Sequence, residues 1–189
     1  MKKLWITVII LLPFLLTACN TDEENDSNPS DLGNYTVSNS QAEVREGDFV
    51  YRLVAEQEEF EAGGPVSMYA ELEYTGEQEN IEIFHAASPF FFPLYEKTRD
   101  YNIDSFMAEP LISTTLTKGQ PLREEYSGRG GYFGEDDQKY KDFIDSIVKG
   151  EFPAGYYEAE GYASFYTEDA NSLQEDYKIP AHIDFKVVE

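Results

Sequence analysis

Residues that alternate between apolar and polar recur through the chain from about residue 48 onward. The clearest run, VSMYAELEY at 66–74, places five apolar side chains on one face: Val66, Met68, Ala70, Leu72 and Tyr74. Because successive side chains of a β-strand point to opposite faces, this period of two predicts strands with one buried face. Further runs of the same kind lie at 49–53, 81–85, 112–117, 122–126 and 177–187.

Turn residues separate these runs. A Gly-Gly-Pro sequence at 63–65 precedes the clearest run, and a Lys-Gly pair at 118–119 separates two others. Short alternating strands divided by such turns are typical of an antiparallel β-sandwich. Pro180 lies inside the last run and has no N–H to donate, so we expect that run to be an edge strand or to carry a local bulge.

One segment, DDQKYKDFIDSIVKG, has helical periodicity. Its apolar side chains recur every three or four residues, at Tyr140, Phe143, Ile144, Ile147 and Val148. Asp136 or Asp137 can cap the start of a helix, and Gly150 is typical of its end. We therefore predict a single helix at about 136–149, inserted among the strands.

The N-terminus has the pattern of an export signal. Lys2 and Lys3 precede an apolar run at 4–16, which is about 13 residues long. A membrane-spanning helix needs about 20 residues, and Pro13 disfavours an unbroken helix. The pattern therefore predicts a signal peptide at 1–18 that is removed, and it disfavours an uncleaved transmembrane anchor.

The end of this apolar run, Leu16-Thr17-Ala18-Cys19, resembles the lipobox of bacterial lipoproteins. The resemblance implies attachment of a diacylglyceryl group to Cys19 and cleavage between Ala18 and Cys19. It also implies a location on the extracytoplasmic face of the cell membrane, which the protein would contact through its lipid. Cys19 is the single cysteine of the chain, so the fold contains no internal disulfide.

Composition sets further expectations. Residues 20–46 are rich in Asn, Asp, Ser, Thr and Glu and poor in large apolar residues, so we predict that 19–46 form a lipidated, disordered linker. The remaining residues, 47–189, are enough for one domain. Acidic residues number 37 against 14 basic ones, a net charge of −23, which disfavours nucleic acid as a partner.

Three segments resemble parts of bacterial immunoglobulin-like sandwich domains: FEAGGPVSMYAELEYTG, LTKGQPLREEY and FPAGYYEAEGYASFY. Among known families, they resemble the proteinase-inhibitor domain of bacilli (BsuPI type). The resemblance implies an all-β, antiparallel immunoglobulin-like sandwich over 47–189. The long insertion at 90–149, helix included, departs from a minimal domain of this kind, and no inhibitory residue is carried over.

Three consecutive phenylalanines, Phe90, Phe91 and Phe92, lie between Pro89 and Pro93. The flanking prolines argue against a strand interior, and adjacent side chains of an extended chain cannot all face one core. The cluster is therefore a candidate binding loop. The alternative is a loop that folds over one end of the sandwich and closes it.

The other candidate motifs give weaker evidence for a metal, phosphate or catalytic site. His85 and His182 could contribute to a metal site only with carboxylate help, and they lie on different faces of their strands. The glycines of SGRGGYFGEDD match neither phosphate-loop spacing, and acidic residues follow them, so a flexible loop is predicted. No catalytic triad motif or zinc-protease motif is present. We predict no catalytic residue, metal or cofactor.

Together these features predict a lipid-anchored, non-enzymatic interaction module. Its partner would be a protein or another component of the cell envelope, engaged by loops of the sandwich. One alternative is a proteinase inhibitor at the cell surface. The other is a carrier of a metal or small molecule.

Overall fold

The computed structural model describes residues 29–104 and 107–189, which form two β-sheets packed face to face. The first sheet has the strand order β1-β2-β4-β10, with β1 at Gln41–Glu46, β2 at Phe49–Ala55, β4 at Met68–Tyr74 and β10 at Leu122–Glu125. The main path of the second sheet is β3-β12-β11-β5-β9, with β3 at Glu59–Glu61, β5 at Asn80–His85, β9 at Ile112–Thr117, β11 at Gly155–Glu168 and β12 at Gln174–Val188.

Three short strands complete the second sheet: β6 at Phe90–Phe91, β7 at Leu94–Glu96 and β8 at Tyr101–Ile103. Among the described residues, the pairings are antiparallel except for that of β3 with β12, which is parallel. The helix α1 spans Gln138–Lys149, and a 3-10 helix spans Pro29–Asn34. The predicted all-β sandwich with one inserted helix is therefore confirmed.

The core lies between the two sheets and follows the period-two pattern. In β4 every second residue is buried, beginning with Met68 and ending with Tyr74. The first sheet contributes Leu53 and Leu72 to this core, and the second contributes side chains such as Ile183. The alternation read from the sequence therefore identifies the inward face correctly.

Helix α1 begins and ends where its capping residues predict. The Asp137 carboxylate accepts a hydrogen bond from the backbone N–H of Tyr140 at 2.8 Å, and Gly150 takes a left-handed φ of 77° at the C-terminal cap. Three apolar side chains of the helix are buried: Phe143, Ile144 and Ile147. The helix thus covers part of the sandwich with one apolar face.

A long hairpin of β11 and β12 is the centre of the second sheet. Its register runs without interruption from Gly155 opposite Val187 to Glu168 opposite Gln174. Pro180 lies within this continuous register, opposite Tyr162, and β3 pairs with β12 only at 186–188. β12 is therefore neither the outermost strand of the sheet nor bulged, but the missing N–H of Pro180 falls on a part of its edge that β3 does not cover.

The predicted disordered linker is wrong for its described part. Residues 41–46 form β1, which pairs along its whole length with β2. Upstream, the ring of Tyr35 stacks on that of Tyr156 with 4.7 Å between centroids. Composition misled the prediction because four of the six residues of β1 are polar, although β1 forms a hairpin with β2. The partner of Tyr35, in contrast, lies far away in sequence. Residues 19–28, and the signal predicted at 1–18, lie outside the described residues.

A buried carboxylate binds the backbone of residues 38 and 39, just before β1, to the second sheet. Asp184 on β12 is 1% exposed and accepts hydrogen bonds from the backbone N–H groups of Ser38 and Asn39, each at 2.7 Å, and from the Tyr156 hydroxyl. Burial alone would raise the pKa of this carboxyl group, but the three hydrogen bonds outweigh burial and lower the pKa of Asp184.

These contacts predict that the segment before residue 47 contributes to stability. A chain that begins at Gly47 lacks β1 and leaves the buried Asp184 carboxylate with one of its three donors, which should cost about 3 kcal/mol or more. Urea unfolding measures this loss. A chain that begins at Pro29 is the matched control and should unfold at the same midpoint as one that begins at Asn20. Equal midpoints for all three chains would contradict the prediction.

Candidate functional site

The three consecutive phenylalanines form part of a strand. Phe90 and Phe91 pair with Ala163 and Tyr162 of β11, and the carbonyls of the flanking prolines accept hydrogen bonds from β11 as well. The Pro89 carbonyl accepts from the N–H of Ser164 at 2.8 Å, and the Pro93 carbonyl accepts from Glu160 at 3.1 Å. The prolines lie at the ends of the two-residue strand, so their missing N–H groups leave the pairing intact. The expectation that the prolines argue against a strand here is therefore wrong, since Phe90 and Phe91 form a short strand between them.

Strand geometry sends the three rings to two sides of the second sheet. Phe90 is 1% exposed and Phe92 is 7% exposed, and both belong to the core. Only Phe91 faces outward, where it is half-buried. The candidate binding loop is therefore wrong for Phe90 and Phe92, which have structural roles, while Phe91 belongs to a larger surface.

That surface, here called the outer face, is the side of the second sheet turned away from the core. Two pairs of stacked rings stand on it, each pair bridging β11 and a neighbouring strand. Phe91 stacks on Tyr162 at 4.7 Å between centroids, and Phe84 of β5 stacks on Tyr166 at 4.9 Å. Tyr162 and Tyr166 are four residues apart on β11, which corresponds to about 13 Å.

Between the two ring pairs the outer face has a pocket of about 620 Å³. Phe84 and Tyr166 line one side and Phe91 lines another, with the small side chain of Ser164 between them. The segment at 109–111 forms part of the rim, and its Leu111 is 71% exposed. Pockets of this volume with aromatic linings and a few polar groups are typical of small-ligand sites.

The charged groups of the pocket are of both signs. Lys178, opposite Ser164 on β12, holds its ammonium 4.3 Å from the centroid of the Tyr162 ring. It makes no salt bridge with any carboxylate in the described ranges, although acidic residues greatly outnumber basic ones. Asp176 and Glu109 also line the pocket. The site therefore offers one cation and two carboxylates beside apolar rings.

The two histidines do not meet. His85 is buried; its Nδ1 donates to the Ala86 carbonyl at 2.8 Å, and its Nε2 lies 2.8 Å from the Thr114 hydroxyl. His182 is exposed, and its Nδ1 lies 2.8 Å from Glu160 Oε1. Residues 29–104 and 107–189 contain no cluster of three or more His, Cys, Asp or Glu side chains that could hold a metal ion.

The glycine-rich segment packs against helix α1. A Cβ atom at Gly128 would lie 2.8 Å from the carbonyl oxygen of Ile147, and one at Gly130 would lie 3.2 Å from the Ile144 side chain. The glycines therefore allow close approach to the last turns of the helix, where carbonyl groups repel anions. Phosphate binds at the N-terminus of a helix, so Gly128 and Gly130 have a packing role instead.

Sequence reasoning missed three of the four rings on the outer face: Phe84, Tyr162 and Tyr166. The signal was present, because the polar positions of an alternating strand rarely hold several aromatic side chains. In β11 the outward positions include Tyr156, Tyr162 and Tyr166. Pairing with Phe84 and Phe91 depends on long-range strand register, which no local pattern contains.

No family model matches the chain, and no curated protein matches it. A crystal structure of a protein from Archaeoglobus fulgidus is similar over 82% of this chain and 98% of that chain, with 9% sequence identity and a TM-score of 0.33. A likeness at this level supports no conclusion about function. The resemblances to bacterial lipoproteins and to the proteinase-inhibitor domain therefore stay predictions from sequence.

The different placement of neighbouring phenylalanines predicts different effects of the same substitution. Phe90→Ser removes a fully buried ring and should destabilise the fold by about 3–5 kcal/mol. Phe91→Ser removes a half-buried ring of an outward stacked pair and should cost about 1–2.5 kcal/mol, from lost stacking and partial burial. Thermal melting of the two variants measures the difference. Equal losses would show that Phe91 belongs to the core.

Proposed function

We propose that this protein is a lipid-anchored, non-enzymatic binding module on the extracytoplasmic face of the cell membrane, and that its ligand site is the pocket of the outer face. The observation that carries the proposal is the pocket itself, an aromatic-lined depression on the longest hairpin of the sheet. Ligand sites are typically concave and apolar, with a few polar groups that fix orientation.

The sequence supports the anchor. The basic and apolar N-terminus ends in the lipobox-like Leu16-Thr17-Ala18-Cys19. Two acyl chains on Cys19 would hold the protein at a membrane stably. Within the described ranges, no helix is long and apolar enough to cross a membrane. Ten residues, 19–28, precede the first described one, and a chain of that length reaches at most about 35 Å.

The chemistry of the described residues favours binding over catalysis. His85 lines the pocket, whereas His182 does not. Both ring nitrogens of His85 have hydrogen-bond partners in the protein, and His182 is paired with Glu160 on the surface. The other polar groups of the pocket include a lysine, a serine and two carboxylates on an open face, an arrangement suited to holding a ligand.

The pocket also fits a second function, carriage of a small molecule. Its volume lies within the range of about 300–1,000 Å³ that is usual for such sites. A carrier would keep a bound molecule through purification, whereas a module that binds the envelope would be retained on it. Mass spectrometry of the purified protein therefore distinguishes the two functions.

The anchoring part of the proposal predicts the fate of a Cys19→Ala variant. Without the thiol, no thioether to the lipid can form, so the variant should accumulate as the unprocessed precursor. Metabolic labelling with a fatty-acid probe measures this. Labelling of the variant to the same degree as the unaltered protein would contradict lipid attachment at Cys19.

The binding part predicts that retention on the cell envelope depends on the pocket. The double variant Phe91→Ser, Tyr166→Ser removes a ring from each stacked pair and should lose most retention on isolated envelope material. The control is Val148→Ser, which alters an exposed apolar side chain on helix α1, 50% exposed. Sedimentation of purified chains that begin at Asn20, which lack Cys19 and therefore its lipid, with envelope fragments measures retention that the lipid cannot cause. Equal retention of all three proteins would contradict the pocket as the ligand site.

A further inference from the structure

We infer that the pocket of the outer face binds a neutral sugar chain. This inference rests on the proposed binding function and names the chemical class of its ligand. The reasons are the shape of the pocket, the rings around it and the balance of its charged groups.

The shape suits a chain of small rings. The two stacked pairs stand about 13 Å apart along β11, and the small Ser164 side chain lies between them. The resulting depression of about 620 Å³ is open to solvent across the sheet. An extended oligomer could therefore lie across the strands, with a single ring seated between the pairs and its neighbours continuing past the edges of the sheet.

The aromatic rings suit the apolar side of a sugar. A sugar ring presents C–H groups with partial positive charge, and the face of an aromatic ring is negative. One face of each aromatic ring is covered by its stacked partner, and Lys178 lies over the ring of Tyr162. The rings that line the pocket and can contact a sugar are therefore Phe84, Phe91 and Tyr166. Leu111, on the rim and 71% exposed, adds apolar area that such a ligand would cover.

The polar groups suit hydroxyls. Every sugar hydroxyl both donates and accepts a hydrogen bond, so its site needs partners of both kinds. The carboxylates of Asp176 and Glu109 can only accept, while the Lys178 ammonium can only donate, and the Ser164 hydroxyl can do either. No hydrogen bond from Ser164 Oγ or Lys178 Nζ to another described residue competes for these groups.

The charges of the protein and of the pocket disfavour anionic and cationic ligands. The chain as a whole carries −23, and the two carboxylates of the pocket add local repulsion, so an anionic polymer is disfavoured. A cationic peptide would be drawn to the protein at long range, but Lys178 stands beside the floor of the pocket without a carboxylate in salt-bridge contact. Burying a cation against this ammonium is unfavourable. A neutral ligand rich in hydroxyls meets neither penalty.

The experiment is a titration of the full chain, purified in detergent, with hexasaccharides of defined charge. Neutral probes are the hexamers of glucose, mannose and N-acetylglucosamine. A deacetylated glucosamine hexamer is the cationic probe, a galacturonic acid hexamer the anionic one, and a neutral hexapeptide of Gly and Ser the non-sugar one. Calorimetry gives the affinity, and NMR chemical-shift changes locate the binding surface without any substitution.

We expect at least one neutral hexasaccharide to bind, with shifts at Phe91, Ser164, Tyr166 and Lys178. The cationic and anionic hexamers should bind at least about tenfold more weakly. Tyr166→Ser should weaken binding about tenfold, Asp176→Asn should weaken it less, and Val148→Ser should leave it unchanged. Melting curves confirm that each variant is folded.

Absence of binding by all neutral hexasaccharides at about 10 mM would overturn the inference, since it excludes affinities even weaker than millimolar. Stronger binding of a charged hexamer or of the hexapeptide would also overturn it. The envelope sedimentation separates this failure from that of the proposed function. If retention still depends on the pocket, only the sugar assignment fails; if retention is independent of the pocket, the proposed ligand site fails too.

Discussion

The packing of the β11–β12 hairpin against the first sheet is the constraint on which the rest of the structure depends. The two sheets approach closely at Gly161, where a Cβ atom would lie 2.7 Å from Leu53 Cδ2 and 3.0 Å from the Tyr51 hydroxyl. Only glycine allows this approach without displacing the core. Because the inward positions of β11 are committed to this core, its outward positions are free to carry the aromatic rings that face solvent.

The candidate site depends on the same hairpin through hydrogen bonds along the other edge of β11. That edge pairs in turn with β7, β6 and β5, so the rings of Phe91 and Phe84 are brought beside those of Tyr162 and Tyr166.

A buried carboxylate stabilises the end of this arrangement at β7. Glu96 of β7 is 0% exposed and accepts hydrogen bonds from the backbone N–H groups of Thr98 and Arg99 at 3.0 and 2.9 Å. Asp184 has the corresponding role on β12. Both buried charges have several donors, as burial of a carboxylate requires.

Local pattern predicted much of the fold, and long-range contact decided the rest. The alternation in β4, the caps of α1 and the uncovered edge at Pro180 each follow from a property of a few neighbouring residues. β1 escaped prediction because four of its six residues are polar, although it forms a hairpin with β2. The hydrogen bonds from Ser38 and Asn39 to Asp184, about 145 residues later, leave no local signal. One of the four rings of the site was predicted, since Phe91 was singled out and the other three were not. Alternation separates inward from outward positions, but only the register of β5, β6 and β11 says which outward rings meet.

The central claim is that the site is preformed on a rigid β11, and native-state hydrogen exchange tests it most directly. The amide groups of Glu160 and Ser164 donate to the Pro93 and Pro89 carbonyls and hold the phenylalanine strand in place. If the ring pairs are held by the core hairpin, these two amides should exchange only through opening events close in free energy to global unfolding. Exchange of Glu160 and Ser164 at the rate of exposed loop amides, while the amides facing β12 stay protected, would show that β6 detaches readily and that the pocket is not preformed.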